Sequence, residues 1–223
     1  MHIFKEIPIR SIYLDNENAR HDLIDNEPAL IAHLLAKEKV EELSADIAKR
    51  GSLNPLDRLA VFPHPTAKHS YMSAEGNRRI CALKLLHDPE KAPTAELRKR
   101  FRFLAAKLDT PITKVDCVEF PNFKESSPWV SLRHEGFKDG TGTRQWDARS
   151  KVRFDRRSET HANPNRLADL LTDYGLKRGL IDKTEHGEVP LTTLTRYLNN
   201  PVFRHYGPNP SWRFGDKCSA GRV

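Results

Sequence analysis

The stretch Ser73-Ala74-Glu75-Gly76-Asn77-Arg78-Arg79-Ile80-Cys81-Ala82-Leu83 decides how this chain is read. Residues Ser70 to Ser73 are β-formers that run into Glu75-Gly76. Ile80, Leu83 and Leu86, with Leu85 beside them, then continue at helical spacing to His87. A strand therefore turns tightly at Gly76 into a helix over 77–87, with Arg78 and Arg79 in its first turn. Glycine lets the backbone approach a ligand closely, the first-turn N–H groups have no partner inside the helix, and the helix dipole places positive potential at the same end. Arginine offers a planar fork to phosphate oxygens, so the combination suits a nucleoside triphosphate or a DNA phosphate. The same spacing also describes an ordinary helix start whose arginines pair with surface carboxylates. On spacing alone both readings stand.

Working outward, Ile7-Pro8-Ile9 and Ile12-Tyr13-Leu14 predict a short strand, followed by a turn-rich loop that ends near Asn18-Ala19-Arg20. Leu30, Leu34, Leu35, Val40, Leu43, Ile47 and Ala48 predict a helix over 28–50, with Gly51 at its C-cap and Pro55 barring continuation. Leu59 to Phe62 predicts a strand paired with Ser70 to Ser73. Residues 95–108 predict a helix N-capped by Thr94, and 112–120 a last strand. The fold class that follows is α/β (α+β): a small mixed-sheet domain over 1–120, then a mainly helical region over 121–223. In that second region Asn163-Pro164 opens one helix that Gly175 closes, and Pro190 opens another that Asn199-Asn200-Pro201 ends.

The chain has 223 residues with a formal charge of +7, unevenly placed. Residues 1–120 hold 19 Lys+Arg against 18 Asp+Glu, and residues 121–223 hold 18 against 12, so the second half carries +6. A basic half beside a neutral one is the pattern of a polyanion-binding module attached to another domain, and equally of a solvated basic face. No apolar run approaches the roughly 18 residues that cross a bilayer, and the first residues lack an apolar signal core, so the expectation is a cytoplasmic protein with no membrane partner. Cys81, Cys117 and Cys218 are odd in number and far apart, which suggests neither a disulfide framework nor a zinc cage. Cys81, between Ile80 and Leu83, reads as a core thiol.

Four landmarks then give a resemblance. Ile7-Pro8-Ile9 with Ile12, Asn18-Ala19-Arg20, Leu43 to Leu56 with its Gly51-Ser52-Leu53-Asn54-Pro55 box, and Glu75-Gly76-Asn77-Arg78-Arg79 occur in the order of the ParB/sulfiredoxin superfamily, the nucleotide domain of chromosome-partitioning proteins. The resemblance covers about half the chain. It implies a domain that binds a nucleoside triphosphate, CTP or ATP, with Mg²⁺. Gly76, Asn77, Arg78 and Arg79 would hold phosphates, Arg20 would contribute from the first loop, and Gly51, Asn54 and Pro55 would line the base or sugar side. Sulfiredoxins place a catalytic cysteine where this chain has Asn77, and an amide cannot become a thiolate, so sulfinic acid repair is not expected. The family's Glu-Asn magnesium pair is replaced by Arg133-His134-Glu135-Gly136. Glu135 stands as a candidate metal ligand and catalytic residue together with Glu75, and His134 as a phosphate contact. Trp129 and Trp146 read as core aromatics.

Partitioning proteins carry helix-turn-helix DNA-binding parts after the nucleotide domain, and the helix pair near 164–174 and 190–198 resembles such a part, with Arg196 facing a groove. Arg149, Lys151, Arg153, Arg156 and Arg157 form a denser cluster suited to phosphate contact without sequence readout. The expected function is a nucleotide-binding, DNA-associated protein with slow NTPase activity, and a homodimer is left open. Two alternatives accompany it: a metal-dependent DNA nuclease of a mobile-element or defence system, and a non-catalytic DNA or protein adaptor. A nuclease needs several converging carboxylates, and Glu75 and Glu135 are the two in view.

Overall fold

The computed structural model describes residues 1–134, 136, 140–143, 145–158 and 163–201. The chain divides into two compact units, Met1–Thr143 and Arg144–Val223. Among the described residues they contain a five-stranded mixed sheet and nine α-helices, the class expected from the sequence.

In the first unit the strands are β1 (Ile3–Pro8), β2 (Ile12–Tyr13), β3 (Leu59–Pro63), β4 (Tyr71–Glu75) and β5 (Lys114–Glu119), in the order β1-β5-β3-β4-β2. β1 pairs antiparallel with β5 and β3 antiparallel with β4, whereas β3–β5 and β2–β4 are parallel. Alternation along β3 decides the layering. Leu59 and Val61 are fully buried in the main core, while Phe62 points to the other face and meets Phe123 at 6.0 Å between ring centroids. The core face is covered by α1 (Glu27–Lys37), α2 (Val40–Arg50), α3 (Asn77–His87) and α4 (Ala95–Ala105), and the other by α5 (Phe123–His134).

The single helix expected over 28–50 is two helices. Lys39 takes a left-handed conformation (φ 50°, ψ 46°) between α1 and α2. The reason is packing. Six positions along an unbroken helix would rotate Val40 about 240° from Leu34, yet both belong to one core with Leu30, Ile31 and Ile47. α3 is buried nearly all round: Ile80, Cys81, Ala82, Leu83, Leu85 and Leu86 are all in the core. Its Lys84 survives there because both Glu27 oxygens accept from its Nζ at 2.9 Å. Burial pushes the Cys81 thiol up to about 12, as expected of a core thiol.

α5 has no clear apolar period and was not expected. Pro128 stands inside it and removes the bond that Lys124 carbonyl would accept; the Ser127 hydroxyl donates there instead, at 3.0 Å. The available signal was Asn122, whose side chain accepts from Glu125 N–H at 3.0 Å as an N-cap.

The second unit holds α6 (Ala148–Arg157), α7 (Arg166–Lys177), α8 (Lys183–Glu188) and α9 (Leu191–Asn199) around Val152, Ala168 and Leu191. Gly175 does not close its helix. α7 runs through it, and a Cβ there would touch Ile181, so the small residue lets the following chain fold back. α8 occupies the segment expected to link two helices. With so small an apolar core, much of the unit is held by ions. Asp169, 4% exposed at its side chain, accepts from Arg149 at 3.2 Å and Arg156 at 2.5 Å. Asp173 accepts from Arg156 at 3.1 Å and pairs with His186 Nε2 at 2.9 Å.

Candidate functional site

A cavity of about 680 Å³ lies beyond the carboxyl ends of the parallel strands β2 and β4. The turn after β4 and the start of α3 supply Glu75 to Arg79, the loop after β2 supplies Asn18 to His21, and α5 supplies Arg133 and His134. Leu34, Leu43, Phe123 and Val130 form apolar wall. The volume is within the range of small-molecule sites, which combine such walls with a few converging polar groups.

Gly76 is what lets the backbone turn here. It sits at φ 107°, ψ 22° as the N-cap of α3, and an added Cβ would lie 2.4 Å from Leu59 Cδ2. No side chain caps this helix, so its first-turn N–H groups stay without a capping partner. Asn77, expected to hold phosphate, uses its side chain to clamp the fold. Its Oδ1 accepts from Asp15 N–H at 2.9 Å and its Nδ2 donates to Asp15 carbonyl at 2.7 Å. That clamp ties down the loop carrying Arg20, whose Nη1 donates to Glu38 Oε2 at 3.0 Å.

The two arginines of the box differ. Arg78 is exposed and has no ion-pair partner among the described residues. Arg79 is only 13% exposed; its Nη2 donates to Glu75 Oε1 at 2.8 Å, and its Nη1 is 3.7 Å from Asp57 Oδ1 without a hydrogen bond. Burial pulls the Arg79 guanidinium below its ordinary value, Glu75 opposes this, and neighbouring Arg133 adds to it. Arg79 is therefore part of the packed structure as well as a lining residue. Glu75, 16% exposed, also meets His134 Nε2 at 2.8 Å and lies 3.6 Å from Arg133 Nε. Arg133 in turn pairs with Asp57. The cavity thus gathers four arginines against three carboxylates, Glu38, Asp57 and Glu75, each already bridged to an arginine.

Of the residues singled out in the sequence, Arg20, Glu75, Gly76, Asn77, Arg78, Arg79 and His134 line this one cavity. Asn54 and Pro55 line a separate depression with Asp46, Arg50, Ser52 and Leu53. Gly51 lines neither and serves as the left-handed C-cap of α2, at φ 74°. Glu135 lies outside the described residues. Sequence reasoning missed Glu38, Asp57 and His21, polar residues in no motif, which only the fold delivers to the cavity. Among the described residues no three of His, Cys, Asp and Glu gather to hold a metal. The carboxylates at the cavity are committed to arginines, so this donor set fits an anion with its own countercharge better than a bare cation.

The basic cluster of the second unit divides in two. Arg149, 11% exposed, donates to Asp169 and, at 2.7 Å, to His186 carbonyl; Arg156 is bonded to Asp169 and Asp173. Both hold the unit together. Lys151, Arg153, Arg157 and Arg196 face solvent. Trp129 and Trp146, read as core aromatics, are instead exposed. Among the described residues no helix is long and apolar enough to cross a membrane.

No family model matches the chain, and no curated protein matches it. Among solved structures it matches the C-terminally truncated chromosome-partitioning protein ParB from Caulobacter crescentus, complexed with CTP-γ-S. The match has 14% identity and a TM-score of 0.41, covering 88% of this chain and 99% of that one. Likeness at that level assigns neither family nor ligand.

Proposed function

We propose that the first unit binds a nucleoside triphosphate in the cavity beside α3, with the phosphates at the helix start and the base against the apolar wall. The observation that carries this reading is convergence. An uncapped helix N-terminus at a left-handed glycine, exposed Arg78, and Arg20, Arg79, Arg133 and His134 all border one space of nucleotide size. Each element alone is common at protein surfaces. Three separate chain segments, the loop after β2, the turn into α3 and the end of α5, bring them together here. Mg²⁺ would enter with the triphosphate, neutralising phosphate charge next to Glu75 and Asp57.

A second reading concerns DNA. Lys151, Arg153 and Arg157 on α6 are exposed without an ion-pair partner among the described residues, which favours contact with a nucleic acid backbone by the second unit.

Calorimetry with CTP, ATP and ADP, with and without Mg²⁺, tests the first reading, with phosphate release followed in the same samples. Arg79→Ala would also expose Glu75, so the informative variants are Arg78→Ala at the surface and Arg79→Lys, which keeps the charge and loses the fork. Loss of one charge-assisted bond to phosphate costs roughly 1.5–3 kcal/mol, about tenfold to hundredfold in affinity. A wild type that binds none of the three nucleotides, or two variants that bind as well as wild type, would refute it.

A further inference from the structure

The solvent face of α6 carries more than charge. Phe154 is 53% exposed, and so is Trp146, just ahead of the helix. Their ring centroids are 4.8 Å apart at an interplanar angle of 46°, so the two rings support each other while both remain open to solvent. Lys151 and Arg157 stand three residues before and after Phe154, which puts all three on one helical face, and Arg153 precedes Arg157 by a turn. Two acidic residues lie in this segment, and within the helix neither stands on the face shared by Lys151, Phe154 and Arg157. Asp155 is buried, and Asp147 accepts from Ser150 N–H at 2.7 Å as the N-cap. The core of the unit, Val152 with Ala168 and Leu191, needs neither ring.

We infer that Trp146 and Phe154, with Lys151, Arg153 and Arg157, form a platform for single-stranded nucleic acid: bases stack on the rings and phosphates meet the cations. A polyanion alone explains exposed lysine and arginine but leaves two aromatic rings in water with no task. A duplex keeps its bases stacked inside and offers the rings no face, whereas a single strand supplies both a π-face and a phosphate at each step. The inference rests on the reading that the second unit meets nucleic acid, and it specifies which kind.

The experiment uses the full-length protein and two fluorescein-labelled probes, a dT20 oligonucleotide and a 20-base-pair duplex, with binding followed by anisotropy at two salt concentrations. Trp146→Ala/Phe154→Ala should weaken dT20 binding about ten- to hundredfold and leave duplex binding within about twofold; both rings are exposed, so circular dichroism should be unchanged. Arg153→Glu/Arg157→Glu should weaken both probes, with a shallower salt dependence. Equal dT20 affinity in the ring variant and wild type overturns the platform. So does equal loss of both probes in the ring variant, which would remove the preference for single strands. A wild type that binds the duplex but not dT20 overturns the platform and leaves the reading of backbone contact standing. If it binds neither probe, both fall.

Discussion

Gly76→Ala is the sharpest probe of the turn on which the site depends. Two separate costs meet there. The backbone at φ 107°, ψ 22° is one that L side chains rarely adopt, and holding alanine in it costs about 1–3 kcal/mol. The new methyl would also lie 2.4 Å from Leu59 Cδ2. Leu59 is fully buried in the main core and cannot swing into solvent, so the overlap adds the usual overpacking cost of about 1–3 kcal/mol. Together these predict about 2–6 kcal/mol. At about 2–4 °C per kcal/mol for a chain of this size, the first unit should melt roughly 5–20 °C lower. Thermal and urea unfolding by circular dichroism measure the change. Leu59→Val separates the two costs, because it deletes the clashing Cδ2 for about 1 kcal/mol. In that background Gly76→Ala should cost only its backbone part. A variant that melts within about 2 °C of wild type would refute the argument. So would a Gly76→Ala cost identical in both backgrounds, which removes the clash from it.

Two further outcomes follow from titratable groups. Burial pushes the thiols of Cys81 and Cys117 up to about 12, so neither should react with iodoacetamide in the folded protein at pH 8, and both should after denaturation, as peptide mass mapping would report; rapid native labelling of Cys81 would show that α3 is not buried. Burial raises the Asp173 carboxyl, but hydrogen bonds from His186 and Arg156 outweigh it and hold the group below its ordinary value of 3.8. Its stabilisation is complete above that value and is lost as pH falls through the lower folded value. Asp173→Asn should therefore destabilise the second unit at pH 6, and the gap to wild type should narrow as pH falls below 3.8 and through the lower folded value, whereas a gap unchanged by acid would contradict the assignment.

The elements nearest the site were legible because they depend on local chemistry. Ser70 to His87 reads as strand, glycine turn and helix from its own residues, and the structure places β4 at Tyr71–Glu75 and α3 at Asn77–His87. Gly51 and Thr94 cap their helices as expected for the same reason: a left-handed residue or a side-chain oxygen acts on backbone within one turn. The break between α1 and α2 was not legible, because it satisfies where Val40 must lie in three dimensions and not any preference of Glu38 or Lys39. α5 was hidden by Pro128 and by an apolar face that answers Phe62 on a distant strand.

The arginines show the division most clearly. Sequence alone determined that Arg78 and Arg79 begin a helix behind a glycine turn, and that the second half of the chain is basic. It did not determine what any guanidinium does. In the folded chain Arg78 is exposed beside the cavity while Arg79 bridges Glu75 inward, and Arg149 and Arg156 neutralise a buried Asp169 while Arg153 and Arg157 face water. Helical phase sets which way each side chain points, but its partner is an acid 4 to 76 residues away, as with Glu75 for Arg79 and Asp57 for Arg133. Long side chains on adjacent positions of one helix therefore take opposite roles, because only tertiary packing decides which carboxylate comes within reach.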